Sequence, residues 1–288
     1  MITDDTSFFW AENKACTLQP GRAALLLDSP HSGAIYPPDF RPACPMSALR
    51  AAEDTDVDAL WDFAPSMGVA LLQAHFPRSY IDVNRALDEV DPSMLEGPWV
   101  GPVIDSSKVR LGKGLIWRQL DDGTPVYDRL LPVDEVRRRI KHCWKPYHAL
   151  LDDAIATAHA RHGKVIHLNC HSMPSVAHTY STEHPFETHA DFVLGDRDGT
   201  SANPALTHWI EVFLNSCGYT VSVNHPYKGV EIVRRHGRPL ERCHSIQLEV
   251  NRRLYMNEAT FDRRPEFEQV RAILRELVER LLTVELHL

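Results

Sequence analysis

The sequence lacks several features that would assign it to a specialised class of protein. Its six cysteines form no C-x-x-C pair, which argues against a zinc ribbon or a disulfide scaffold. It has no apolar run long enough to span a bilayer, and no basic segment followed by an apolar stretch near its start. We therefore expect a cytoplasmic protein with no membrane partner. The Gly-x-Ser-x-Gly turn of many serine hydrolases is also missing, which argues against acyl-enzyme chemistry.

Composition narrows the ligand class further. The net charge of −8 argues against a nucleic-acid partner and favours a small molecule, while the oligomeric state stays open. Hydrophobic residues make up 43% of the chain and charged residues 24%, the balance of an ordinary globular protein. There is no Gly/Ser-rich linker and no internal repeat. We expect one domain over residues 1–288.

Apolar runs alternate with helical patterns along the chain. The predicted strands are residues 23–28, 69–75, 79–83, 164–170, 190–194, 219–223 and 245–250. The predicted helices are residues 47–65, 133–162, 203–217 and 265–284. Strands alternating with helices of this length indicate an α/β layered fold. A Pro- and Gly-rich stretch over about 88–132 is predicted to be a long loop excursion of the kind that forms lids or binding loops.

Two predicted strands each end on a histidine. The first runs into DSPHSG, which contains His31 in a Ser/Pro/Gly turn. The strand KVIHLNC alternates and is followed directly by His171, at its exit, and then by another Ser and Pro. A single histidine at such a position is usually an ordinary polar residue of a turn. Two of them at two strand ends suggest a metal site, because imidazole is a preferred ligand of zinc.

A catalytic zinc site of this kind needs a third ligand, and a carboxylate is a common choice. The run EDTDVDALW, residues 53–61, places four acids near a helix start. Acids there can also simply stabilise the helix end. Asp54 lies nearest the apolar stripe, so it is the first choice for an inward-facing ligand, and Asp56 is the second.

Other strand ends carry basic and acidic groups. Arg78 follows one predicted strand, and the pair Asn84 and Arg85 follows another, which together suit an anionic ligand. Glu249 lies on the polar side of the strand SIQLEV. A carboxylate there could act as a general base beside a metal, or pair with Arg252 or Arg253.

As a set, these runs resemble the N-formylglutamate amidohydrolase family. The resemblance covers about residues 22–284 and rests on the following runs, in this order: DSPHSG, EDTDVDALW, FPRSYIDVNRA, HLNCHSMPS, NHPYKGVEIVRRHGRP and SIQLEVNRRLYMNE. It implies a three-layer α/β/α sandwich around a mixed, mostly parallel sheet, similar to that of zinc carboxypeptidases and aspartoacylases. Those relatives take an acid from an H-x-x-E motif, but here the residue three after His31 is Ala34, so the acid must come from elsewhere.

The resemblance also implies a role for each residue of the candidate site. His31, Asp54 and His171 match the ligands of one zinc ion, or of another divalent metal, and Glu249 matches the general base. Arg78 resembles the arginine that polarises the scissile carbonyl. The pair Asn84 and Arg85 resembles residues that hold one substrate carboxylate, and Lys228 and Arg234 lie in a loop that could hold a second.

The implied reaction is hydrolysis of N-formyl-L-glutamate to formate and glutamate, a step of histidine breakdown. Two alternatives stay open. One is a zinc hydrolase of another N-acyl amino acid or short peptide, and the other is a metal- or carboxylate-binding protein without turnover.

Overall fold

The computed structural model describes residues 8–177 and 185–284, which divide into two compact units that interleave along the sequence. The loop-rich unit contains the described residues through Thr17, with Pro30–Glu53 and Gln73–Leu150. The sheet unit contains Leu18–Ser29, Asp54–Leu72 and the described residues from Leu151 onward.

Seven strands form one mixed sheet in the order β1-β3-β2-β4-β7-β5-β6. The strands are β1 Cys16–Gln19, β2 Leu25–Ser29, β3 Ala70–Ala74, β4 Val165–Met173, β5 Phe192–Gly195, β6 Val221–Val223 and β7 Cys243–Asn251. Strands β2, β4 and β7 run parallel, whereas β5 is antiparallel to β7 and parallel to β6. With helices on both sides of this sheet, the predicted α/β class and mixed, mostly parallel sheet are confirmed.

The central strands have one apolar and one polar face. The residues of β4 that join the apolar core are Ile166, Leu168 and Cys170. They pack with residues of three helices, α3 (Val57–Trp61), α7 (Pro204–Ser216) and α9 (Phe267–Thr283). Because side chains alternate along a strand, His167, Asn169 and His171 project from the opposite face. All nine residues of β4 are buried, so these polar side chains require partners inside the protein. The alternation predicted from the sequence is confirmed.

The helices are α1 Phe9–Glu12, α2 Met46–Ala51, α3 Val57–Trp61, α4 Ser107–Arg110, α5 Val133–Arg139, α6 Lys145–His162, α7 Pro204–Ser216, α8 Glu231–His236 and α9 Phe267–Thr283. A π-helical turn, Ile140–Trp144, joins α5 to α6, so the predicted helix over 133–162 is confirmed as one helical stretch. The helices predicted over 203–217 and 265–284 correspond to α7 and α9. In the described parts of the chain, no helix is both long and apolar enough to cross a membrane.

The single helix predicted over 47–65 is wrong. The structure has α2, α3 and a 3-10 turn, Ala64–Met67, with a break between the two helices. Asp56 has a left-handed backbone at the start of α3, with φ of 63°, a conformation that aspartate tolerates better than most residues. Its carboxylate accepts hydrogen bonds from Arg263 over 2.9 and 2.8 Å. Asp54 lies in this break, before the start of α3, and is buried.

The strand predicted over 79–83 is also wrong, because this segment is a buried loop. Its apolar side chains have the composition of a strand, but its backbone carbonyls bond to side chains instead of to a neighbouring strand. Arg139 donates to the carbonyl of Tyr80 over 2.9 Å, and His148 Nε2 lies 2.8 Å from the carbonyl of Val83. Strand β1, in contrast, lies where no strand was predicted.

Residues between Asp88 and Pro132 contain only short elements, the 3-10 turn Pro92–Met94 and α4, together with isolated bridges such as Leu95 with Leu131. Backbone hydrogen bonds tie this stretch to the segment before it, for example from Asp82 N to the carbonyl of Leu115 over 2.9 Å.

A buried ion pair anchors α5 in the loop-rich unit. Arg129 donates two hydrogen bonds of 3.0 Å to Glu135, and the fully buried Arg139 donates to the same carboxylate. The Arg139 guanidinium also lies 4.0 Å from the ring centre of Tyr80. Burial raises the pKa of Glu135, but the bonds from the two arginines outweigh it and hold this pKa below 4.5.

Glu135→Gln should destabilise the protein by about 3 kcal/mol at pH 7, because it leaves the buried Arg139 charge without its carboxylate. A carboxyl group with a lowered pKa stabilises the fold above its unfolded pKa, near 4.5, and loses that contribution as pH falls through the folded pKa. The variant and the wild type should therefore converge as pH decreases below 4.5. Urea unfolding at pH 7, 5 and 3.5 measures this, with the exposed neighbour Asp134→Asn as control. An equal loss at all three pH values would contradict the expectation.

Candidate active site

In the sheet unit, the C-terminal part of β4 places His171 against the carboxylate of Asp54. The His171 Nδ1 atom lies 2.9 Å from Asp54 Oδ2, and both residues are buried. The other ring nitrogen of His171, Nε2, lies 2.8 Å from Asn169 Oδ1. Arg252, directly after β7, donates to Asp54 Oδ1 over 3.3 Å. Asp54 is therefore held between a cation and a histidine, and its side chain does not cap α3.

In the loop-rich unit, His31 follows β2 by two residues and lies against Asp82. The His31 Nε2 atom is 2.7 Å from Asp82 Oδ1, and the second carboxylate oxygen accepts from Arg78 and from the Trp117 indole, each over 3.2 Å. Burial raises the pKa of Asp82, but attraction to His31, Arg85 and Arg78 outweighs it and holds this pKa well below 3.8. Asp82 is thus an ionised carboxylate inside the protein.

His31, Asp54 and His171 form a group that could hold a metal ion. One ligand atom from each lies within 4.8 Å of the others, and all three residues are buried. Two imidazoles and a carboxylate are a donor set typical of catalytic zinc. Asp56, the second choice for the acid, pairs instead with Arg263.

His31 and His171 each have one ring nitrogen, Nε2, in a hydrogen bond to another side chain. These bonds determine which ring nitrogen of each histidine faces the candidate metal group. The ionised Asp82 accepts only, so His31 Nε2 carries the hydrogen and Nδ1 is the ring atom available to a metal. Asn169 Oδ1 likewise accepts from His171 Nε2, which turns the Nδ1 lone pair toward Asp54 Oδ2 at 2.9 Å. Two acceptors at this separation repel each other unless a cation joins them, so the geometry fits a divalent metal.

Glu249 lies beside this group on the neighbouring strand. In the parallel pairing of β4 with β7, Glu249 is the partner of His171, and the two side chains share one face of the sheet. Gln247 Nε2 donates to Glu249 Oε1 over 2.7 Å. Of the two arginines proposed as alternative partners, Arg253 pairs with Asp191, and Arg252 donates to Asp54 and Ser172. Glu249 thus lies on β7, the strand next to the one that carries the candidate ligand His171.

The Asn84 and Arg85 pair is buried beside Asp82. Arg85 Nε donates to the carbonyl of Lys113 over 2.8 Å, and Arg85 Nη1 donates to the carbonyl of Asn84 over 2.9 Å. The backbone N–H of Asn84 donates to Asp82 Oδ1 over 2.9 Å. Burial and the nearby Arg78 lower the pKa of Arg85. This part of the loop-rich unit therefore concentrates positive charge.

Lys113 adds to that charge and had no predicted role. Its ammonium contacts Asp121. Burial and repulsion from Lys108, Arg78 and Arg85 lower the pKa of Lys113 to about 7. Burial is the largest cause, and the charges of the three neighbouring cations add to it.

Lys228 and Arg234 are in ion pairs at the surface of the sheet unit. Lys228 Nζ lies 2.9 Å from Asp198 Oδ2, and Arg234 donates to both oxygens of Glu231 over 2.8 and 3.0 Å. More than half of each basic side chain is exposed. To hold a substrate carboxylate, each would have to exchange its acidic partner for it.

Several contributors to the site had no predicted role: Asp82, Lys113, Trp117 and Arg252 in its contact with Asp54. Of these residues, only Asp82 could have been noticed in the sequence. It lies between apolar residues, and a buried acid in such a run needs a cationic partner. Lys113 and Trp117 lie in the predicted loop excursion, where residue type says little about tertiary contacts.

Together, the mixed sheet and the buried His-Asp-His group define an α/β protein with a candidate metal centre next to a carboxylate. The family model for N-formylglutamate amidohydrolase matches residues 23–256. The chain belongs to this family, as its sequence motifs predicted.

Relatives extend the match over nearly the whole chain. It is 32% identical over 278 residues to an N-formylglutamate deformylase from Pseudomonas aeruginosa, covering 94% of this chain and 97% of the relative. A crystal structure of N-formylglutamate amidohydrolase from Ralstonia eutropha has a TM-score of 0.89 at 47% identity, covering 94% of this chain and 98% of that one. A gene product of Agrobacterium tumefaciens shares the fold, with a TM-score of 0.68 at 19% identity over 96% of each chain.

Gly33→Ala should destabilise the loop that carries His31. A Cβ atom at Gly33 would lie 2.4 Å from the carbonyl carbon of His75 and 2.4 Å from the carbonyl oxygen of Phe76. Overpacking of this kind typically costs about 1–3 kcal/mol. Chemical denaturation measures the loss, and Gly97→Ala is the matched control because its Cβ would meet only a side-chain methyl at 3.9 Å. Equal stability of the two variants would contradict the close approach.

Proposed function

We propose that this protein hydrolyses N-formyl-L-glutamate to formate and L-glutamate, using a zinc ion held by His31, Asp54 and His171. The observation that carries the proposal is the buried His-Asp-His group in a chain that belongs to the N-formylglutamate amidohydrolase family. The names of the Pseudomonas relatives and of the Ralstonia structure support this substrate.

A zinc ion in this group would supply a Lewis acid that lowers the pKa of a water molecule to about 7. The protein prepares its ligands through outer hydrogen bonds. Asp82 fixes the His31 ring, Asn169 fixes the His171 ring, and Arg252 holds the Asp54 oxygen that does not face His171.

Glu249 is the proposed general base and then the general acid. It accepts a proton from the attacking water, whose oxygen bonds to the formyl carbon, and later delivers that proton to the nitrogen as the C–N bond breaks. Its position beside His171 across the β4–β7 pair supports this role. The Gln247 amide restricts the carboxylate to one orientation.

Arg78 is the proposed donor to the developing oxyanion. Its guanidinium bonds to Asp82, the carboxylate that also holds His31, so one anion orients a metal ligand and a cation. Removal of one such donor typically costs about 3 kcal/mol of transition-state stabilisation.

The substrate has two carboxylates, and the chain offers two cationic groups. Asn84 and Arg85 are proposed to bind one of them, in a region where Arg85 also bonds to the backbone of Lys113. Lys228 and Arg234 are proposed for the second, after exchange of their partners Asp198 and Glu231. The place in histidine breakdown and the cytoplasmic location stay predictions from the sequence.

A substrate panel tests the proposed reaction directly. Purified protein should contain about one zinc per chain and should release formate from N-formyl-L-glutamate faster than it cleaves the N-acetyl and N-succinyl analogues. Chelation should abolish turnover, and added Zn²⁺ should restore it. Preference for another N-acyl group would favour the alternative substrate, while activity that persists without bound metal would overturn the mechanism.

Glu249→Gln should reduce kcat at least 100-fold, because general acid-base catalysis typically contributes about 10²–10⁴-fold. Metal content should stay unchanged, since Glu249 is not one of the three proposed ligands. The control is Glu241→Gln, an exposed glutamate near the start of β7 that pairs with Arg238. Full activity of the Glu249 variant would show that another group accepts the proton, whereas a wild type that binds metal and substrate without turnover would favour the non-catalytic alternative.

A further inference from the structure

Behind His171, the polar face of the sheet unit carries a continuous line of buried hydrogen bonds. Asn169 Nδ2 donates to Asp28 Oδ1 over 2.9 Å, and His167 Nε2 lies 2.8 Å from the same oxygen. His167 Nδ1 lies 2.8 Å from Ser245 Oγ. All four residues are at most 1% exposed, on strands β2, β4 and β7. None of them has a role in the mechanism above beyond the contact of Asn169 with His171.

The donor and acceptor roles in this chain of hydrogen bonds determine which way the Asn169 amide is oriented. Asp28 Oδ1 accepts from Asn169 Nδ2, so the NH₂ end of the Asn169 amide points toward Asp28. The amide oxygen of Asn169 must then point the other way, toward His171 Nε2 at 2.8 Å. That oxygen can only accept, so the hydrogen of the His171 ring must be on Nε2.

We propose that Asp28 is a positioning residue that fixes the ring tautomer of His171 through the Asn169 amide. The inference rests on the proposed metal centre. With the hydrogen held on Nε2, the Nδ1 lone pair faces Asp54 Oδ2, in the position that a metal ligand requires. Asp28 itself contacts neither the metal group nor the substrate.

The strand pairing keeps this arrangement in register. Asp28 on β2 is the pairing partner of Asn169 on β4, and Ser245 on β7 is the partner of His167. Each bond therefore crosses one strand boundary on the same face. An amide at position 28 could both donate and accept, which would allow the Asn169 amide to turn over and present its NH₂ group to His171.

Asp28→Asn tests the proposal by replacing an acceptor-only carboxylate with an amide of similar size that can both accept and donate. The measurement is titration of metal-free protein with Co²⁺, followed by the visible absorption of the bound ion, and then with Zn²⁺. Loss of an outer-shell partner typically weakens metal binding by about 10–100-fold, and we expect a loss in that range. The absorption bands should also change, because His171 would then carry its hydrogen on Nδ1, the atom that faces the ion, and one ligand would be lost. Ser245→Ala is the matched control, since it removes a bond from the same buried line but leaves the Asp28 to Asn169 bond in place.

A double variant separates orientation from packing and covers the case in which the single variant does not fold. Asp28→Asn combined with Asn169→Asp restores one donor and one acceptor-only group, in reversed positions, and leaves an acceptor for His171 Nε2. We expect its Co²⁺ affinity to return to within about 3-fold of the wild type, less than 1 kcal/mol. A double variant that binds at least as weakly as Asp28→Asn would overturn the proposal, as would a folded single variant with unchanged affinity and spectrum. If the wild type itself binds neither ion, the proposed metal centre fails and this inference with it.

Discussion

The carboxylate of Asp82 is the anion on which the loop-rich part of the site depends. It is completely buried, and a buried charge is stable only when cations and hydrogen-bond donors surround it. His31, Arg78 and Trp117 supply those contacts, and Arg85 lies 3.8 Å away. The same contacts orient a candidate metal ligand and a candidate oxyanion donor. Charge compensation of one residue therefore organises several functional side chains at once.

The sheet unit also contains buried polar side chains that need hydrogen-bond partners. One face of β4 and β7 packs into the apolar core, while the other carries buried polar residues that satisfy one another in sequence. Because Asp28 accepts from the Asn169 NH₂ group, the amide oxygen of Asn169 is left to face His171. The cost of burying these groups is offset by hydrogen bonds whose directions also define the orientation of His171.

The sequence was sufficient to predict the layers of the fold and the residues of the candidate centre, since both depend on local patterns. Alternation in KVIHLNCH placed His171 on the polar face. The phase of the predicted helix favoured Asp54 over Asp56, but Asp54 lies in the break between α2 and α3, so helical phase does not explain its position. The segment 79–83 was misassigned because a fully buried loop and a buried strand have the same apolar composition. The long helix predicted over 47–65 is interrupted between Ala51 and Val57, where Asp56 has a left-handed backbone.

The partners of the predicted residues were harder to infer, because they come from remote parts of the chain. Asp82 gave only the general signal of a buried acid, and nothing in the local sequence joined Arg252 to Asp54. Lys113 lies in a stretch without regular periodicity, so its approach to Arg78 and Arg85 depends on tertiary structure alone.

The interleaving of the two units has a consequence for how the protein is made. Asp28 bonds to a residue 141 positions later, and Asp54 bonds to Arg252 across 198 positions. Strand β4 lies between β2 and β7, so a ribosome must synthesise most of the chain before the central strands can pair. Contacts of such long range slow folding. The candidate metal group joins His31, Asp54 and His171, so it can be completed only after β4 has been synthesised, and Arg252, which bonds to Asp54, is added later still.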